Sequence, residues 1–83
     1  MPHFVYMLRC KGSRIYTGYA TDVAARFQKH RAGKAAKFTR TFPPTEILRV
    51  FECASKGEAL SLEAKIKKLA KAKKERLASG EGL

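Results

Sequence analysis

Two β-rich runs, Phe4 to Cys10 and Arg14 to Tyr19, are separated only by Lys11-Gly12-Ser13, and this spacing constrains the fold more than any other feature of the chain. A short glycine-containing loop closes a hairpin. With Gly12 at the centre of a three-residue loop, facing residues have numbers that sum to 24, which sets Tyr6 across from Gly18 and Leu8 across from Tyr16. Both tyrosines then share a face. A loop shifted by one residue would separate them, because strand side chains alternate. Gly18, lacking a side chain, opens space beside Tyr6 for a ring to tilt or a phosphate to approach.

Thr21-Asp22 predicts the cap of a helix from Val23 to Ala32, closed by Gly33 in the C′ position. Helical phasing puts Val23, Phe27 and His30 on one stripe with Arg26 at its edge, and Arg26 and His30, four apart, are neighbours. Gly33 to Pro44 has no clean period and reads as a functional loop, with Lys34, Lys37 and Arg40 around Phe38. Glu46 to Cys53 predicts a third strand around Ile47, Leu48, Val50 and Phe51. Ser55-Lys56-Gly57-Glu58 then forms a capping box that opens a second long helix. Its apolar stripe is Ala59, Leu62, Ile66 and Leu69, and Glu63 lies about 80° from the stripe's centre, on the boundary with solvent. Beyond Ala70 the chain stays helix-prone and basic through Lys71, Lys73, Lys74 and Arg76, and Ala78 to Leu83 reads as a loose tail. The expected fold class is α+β: a small three-stranded sheet flanked by helices, ordered ββαβα plus a C-terminal helix, in one domain over residues 1–83.

A chain of 83 residues has a radius of gyration of roughly 12 Å and buries only about 60–65% of its unfolded surface. Eighteen Lys and Arg against seven Asp and Glu give a net charge of +11, the electrostatic footprint of a protein that binds a polyanion. Nucleic acid is the expected partner. No apolar run approaches the roughly 20 residues of a membrane span, and the basic C-terminal helix lacks aromatic anchors for a membrane surface. The N-terminal sequence runs straight into strand without a signal-peptide pattern, which predicts a cytoplasmic location. Cys10 and Cys53 have no zinc-ligand spacing and are expected to be reduced thiols.

Tyr6, Tyr16, Arg26 and His30 are thus brought to one surface, and tyrosine, arginine, histidine and a nearby glutamate are the residue types that a phosphodiester-cleaving site needs. Arg14, Lys34, Lys37, Phe38, Arg40 and Lys67 are candidate contacts to nucleic acid, since cations interleaved with an aromatic hold phosphates and stack on a base. Each also has a structural use. Arg26 can snorkel, Tyr16 can pack across strands, His30 can pack beside Phe27, Phe38 can tuck onto the core, and Glu63 can pair with Lys67.

Phe4-Val5-Tyr6, Tyr16-Thr17-Gly18, Arg26, His30 and Glu63 together resemble the motifs of the GIY-YIG nuclease superfamily over nearly the whole chain. The Gly33 to Arg40 segment and the Glu63 to Lys74 helix further resemble the small, stand-alone bacterial proteins of that superfamily, of the UPF0213 kind. The resemblance implies a small mixed sheet between helices and hydrolysis of DNA phosphodiesters with one divalent ion, Mg²⁺ or Mn²⁺. In those terms Tyr6 is the general base or its relay, and the basic surroundings are expected to lower its phenol from the usual value near 10. Tyr16 binds the phosphate or positions water, and Arg26 clamps phosphate oxygens with its planar fork. His30 contacts the nucleophile side or orients Tyr6. Glu63 is the metal ligand. The chain departs from the pattern in four places: Phe4 stands for the first motif's glycine, Thr17 is in the middle of the second motif, Ala20 replaces a hydroxyl residue, and no asparagine is present. Glu75 lies roughly where the family's late asparagine would be sought.

The expected activity is therefore a metal-dependent DNA endonuclease or structure-selective nuclease in repair or processing, with RNA as the other candidate polymer. No second recognition domain is apparent, so a partner protein is the expected source of specificity, and double-strand cuts would need a dimer or that partner. The alternative is a non-catalytic basic nucleic-acid-binding module, with a basic module for an acidic protein partner as a weaker third.

Overall fold

The computed structural model describes residues 2–82; Met1 and the last tail residue, Leu83, lie outside them. Strands β1 (His3–Cys10), β2 (Arg14–Ala20) and β3 (Pro44–Cys53) form one sheet in the order β2-β1-β3. Both pairings are antiparallel, so the sheet is not the mixed one that the resemblance implied. The hairpin register places Tyr6 opposite Gly18 and Leu8 opposite Tyr16, as the loop spacing predicted. Gly12 (φ 77°) and Ser13 (φ 61°) both turn through the left-handed region to make this tight reversal.

Helix α1 (Val23–Arg31) begins where Asp22 accepts the Ala25 N–H at 3.0 Å. It ends at Gly33, whose φ of 75° suits a residue without a Cβ. Helix α3 (Lys56–Lys67) is capped by Ser55, which accepts the Glu58 N–H at 3.1 Å. Helix α4 (Lys71–Ala78) follows after a short break. Arg49 donates to Leu77 O in the last turn of this helix and to Glu81 O beyond its end, each at 2.7 Å.

The segment expected to be a loop contains a short helix, α2 (Lys37–Thr41). Five residues are too few for a helical period to emerge in the sequence, and the element is held by contacts elsewhere in the fold.

The sheet has a core on each face. Val5, Met7, Cys53, Ala59, Ile66 and Leu77 are buried on the α3 and α4 side. Tyr6, Leu8, Cys10 and Ala20 are buried on the α1 side, with Tyr16, Val23, Phe27 and Phe42 packed against them. Strand alternation assigns consecutive β1 residues to opposite cores. Cys10 and Cys53 are free, buried thiols that belong to different cores. Ile47 and Val50 of β3 are 39% and 42% exposed. They lie on the outer strand, while Leu48 and Phe51 pack inward. Among the described residues no helix is long and apolar enough to cross a membrane.

Candidate active site

The tyrosine pair sits on the α1 side of the sheet. The Tyr6 and Tyr16 rings lie 6.4 Å apart, and the His30 ring is 5.7 Å from the first and 5.0 Å from the second. The Tyr6 hydroxyl and His30 Nε2 are 2.6 Å apart, within a short hydrogen bond. On the far side of the imidazole, Nδ1 lies 2.6 Å from Thr39 Oγ1, and Thr39 donates to Ala36 O at 3.2 Å. Sequence reasoning missed Thr39, because the segment around it gave no helical signal.

Exposure divides the residues of the site into an inner and an outer set. Tyr6 and His30 are each 1% exposed and Thr39 is fully buried. Tyr16 and Glu63 are half-buried, and Arg26 is exposed. The gap beside Tyr6 is not open for a phosphate: a Cβ on Gly18 would lie 2.6 Å from Tyr6 Cζ and 3.1 Å from Tyr16 Cε2. The phenol itself fills the space that the glycine leaves.

Electrostatics corrects a second expectation. Burial pushes the Tyr6 phenol well above its usual range, helped by Tyr16 and Glu63, and the opposing pull of Arg26 does not overcome this. His30 is held below its ordinary value, first by burial and then by the Arg26 charge. At neutral pH the pair is therefore a protonated phenol against an uncharged imidazole.

Helix α3 packs Ala59 and Ile66 into the opposite core, while Lys67 Nζ reaches to 6.0 Å from the centre of the Tyr16 ring. The Glu63 carboxylate is 3.0 Å from Lys67 Nζ, an i,i+4 pair, and is close enough to Tyr6 for its charge to act on the phenol. Among the described residues no three His, Cys, Asp or Glu side chains cluster as a metal cage. Glu63 suits a hard divalent ion in another way. Its side chain is 17% exposed and its partner Lys67 is 51% exposed, so the pair is a weak surface one and a carboxylate oxygen can turn to an ion completed by waters and phosphate.

Glu75 is not part of this group. It forms a bidentate pair with Arg9, at 2.6 and 2.7 Å, and Arg9 alternates with Tyr6 onto the opposite face of the sheet. Phe38 is 37% exposed, with its ring 5.7 Å from Tyr16 and 5.3 Å from Phe42. The Arg14 guanidinium lies 3.8 Å above the Phe42 ring, extending this aromatic row. Lys34, Lys37 and Arg40 are exposed on and beside α2.

A hairpin presenting two tyrosines to a helix-borne Arg and His, with a glutamate on a following helix, defines a class of protein. A family model described as the GIY-YIG catalytic domain matches residues 2–76, and the chain belongs to that family of nucleases, whose substrates are nucleic acids. Within the family it is similar to UPF0213 protein BH0048 of Halalkalibacterium halodurans, 45% identical over 82 residues that cover 99% of this chain and 87% of the relative. UPF0213 protein FN1575 of Fusobacterium nucleatum is 46% identical over 79 residues, covering 95% of this chain and 79% of the relative. The solution NMR structure of the UPF0213 protein BH0048 from Bacillus halodurans matches with a TM-score of 0.62 at 45% identity, covering 99% of this chain and 87% of that one.

Proposed function

We propose that this protein is a divalent-metal-dependent endonuclease that nicks DNA strands at the site formed by Tyr6, Tyr16, Arg26, His30 and Glu63. The observation that carries the reading is the 2.6 Å bond between the Tyr6 hydroxyl and an uncharged His30. A phenol this far above its usual range is a poor free base. It serves better as a relay: an attacking water passes its proton to the Tyr6 oxygen as Tyr6 passes its own to His30 Nε2. Charge never has to rest on the buried phenol.

Arg26, at the exposed rim, is suited to grip two phosphate oxygens with its planar fork. Tyr16, half-buried beside Tyr6 and His30, hydrogen-bonds the phosphate. Glu63 would hold one Mg²⁺ or Mn²⁺, and such an ion supplies neutralisation of charge on the phosphate and the leaving oxygen. Arg14, Lys34, Lys37, Arg40 and Lys67 contact the phosphates on either side, and the exposed Phe38 edge takes a base. On this reading the substrate is a DNA strand with a displaced or unpaired base, as met in repair or processing, and RNA is the second polymer to test.

The burial of Tyr6 favours one alternative, a non-catalytic module that holds nucleic acid by charge alone. Labelled single-stranded, duplex, flapped and branched DNAs, and RNA, incubated with Mg²⁺ or Mn²⁺, separate the two. Endonuclease activity predicts products that disappear with chelator and in Glu63→Gln. Binding that is steeply salt-dependent, with no product on any substrate, would leave the module as the better account.

A further inference from the structure

We propose that Thr39 is a positioning residue of this site: its hydroxyl fixes His30 as the Nδ1–H tautomer, so that Nε2 presents its lone pair to the Tyr6 hydroxyl. The assignment rests on the nuclease reading for its consequence, but not for its geometry.

Hydrogens at both ends of the chain of bonds lead to the same tautomer. Thr39 has one hydroxyl hydrogen, and a carbonyl can only accept, so the 3.2 Å contact with Ala36 O uses that hydrogen. Thr39 Oγ1 is then an acceptor toward His30, and the 2.6 Å contact requires a proton on Nδ1. At the other end Tyr6 is 1% exposed, and its hydroxyl has His30 Nε2 as its hydrogen-bond partner among the described residues. The phenol hydrogen is satisfied only if Nε2 carries none. With the opposite tautomer the Tyr6 hydrogen would have no acceptor among the described residues, and the single Thr39 hydrogen would face two acceptors, Nδ1 and Ala36 O. The resulting order is Tyr6 O–H to Nε2, Nδ1–H to Thr39 Oγ1, and Thr39 O–H to Ala36 O.

The short helix α2 gains a purpose from this arrangement. Thr39 bonds back to the carbonyl three residues earlier, a local pattern open to Ser and Thr. Ala36 O also accepts the Arg40 N–H at 3.0 Å, which anchors the acceptor itself. When His30 takes a proton at Nε2, its Nδ1–H is already engaged, so the ring neither flips nor changes tautomer during transfer.

The test combines ¹⁵N-imidazole NMR of His30 with single-turnover cleavage in wild type, Thr39→Ser and Thr39→Val, using amide spectra to verify the fold. The expected wild-type spectrum has a protonated Nδ1 and an unprotonated Nε2. Thr39→Ser retains both that spectrum and most of the activity. Thr39→Val keeps the volume but removes the acceptor, shifting His30 toward the Nε2–H form and reducing cleavage about 10²-fold or more, the scale of lost general-base assistance. An Nε2–H tautomer in wild type, or a valine variant with unchanged tautomer and rate, would overturn the proposal. If no substrate is cleaved even by wild type, the nuclease reading fails, and the wild-type and valine spectra still decide what Thr39 does to His30.

Discussion

At Tyr6 two influences compete, the positive charge that dominates the composition and the burial that the hairpin register imposes, and geometry makes burial the larger. Arg26 pulls the phenol down, but from the exposed rim, where solvent weakens its field. The consequence is a defined pH response. Cleavage depends on uncharged His30, so its acid limb lies below the ordinary histidine value of about 6.5. Stability follows the same group: the unfolded chain protonates first, so His30's contribution is complete above about 6.5 and is lost as pH falls from there through the depressed value in the fold. Tyr6 acts at the opposite end, with its contribution intact below about 10 and lost as pH rises above that. Denaturant midpoints measured across pH test both signs. Thr17 offers a separate check. Its hydroxyl is buried and has no hydrogen-bond partner among the described residues, and it points away from Tyr6. Thr17→Val should raise stability by about 1 kcal/mol and leave cleavage unchanged, whereas a loss of stability would mean that the hydroxyl has a partner after all.

Elements with local signals were legible in the sequence. The Lys11-Gly12-Ser13 loop set the register that aligns Tyr6 with Tyr16, and Asp22 and Ser55 marked the starts of α1 and α3. Pairings between distant residues were not. Thr39 meets His30 across a break in periodicity, and Arg9–Glu75 and Arg49–Leu77 join residues with no pattern in common. Glu75 has no asparagine-like place in the site, because its side chain pairs with Arg9 and ties α4 to β1 on the other face. Capping can be tested at α1, which carries both Arg26 and His30. Asp22→Ala should cost about 1 kcal/mol in the denaturant midpoint, and the loosened first turn should lower cleavage through Arg26 more than through His30.

For the whole molecule, charge and shape act together. The radius of gyration is 11.9 Å, in line with size scaling, and the body measures 30 × 29 × 18 Å. A net charge of +11 on so small a body gives strong, sequence-independent attraction to phosphate. Substituting Lys34, Lys37 and Arg40 together by Gln should flatten the dependence of log affinity on log salt by roughly 2 for a single strand, with little change in the metal requirement. An unchanged slope would remove these cations from the nucleic-acid path. The central claim, that the buried Tyr6–His30 pair receives a proton from the attacking water, is tested most directly by single-turnover cleavage of a labelled DNA strand in Mn²⁺ by wild type and by Tyr6→Phe. Loss of the hydroxyl should slow the chemical step by about 10²-fold or more while DNA affinity stays the same. Cleavage by Tyr6→Phe at the wild-type rate would contradict the account.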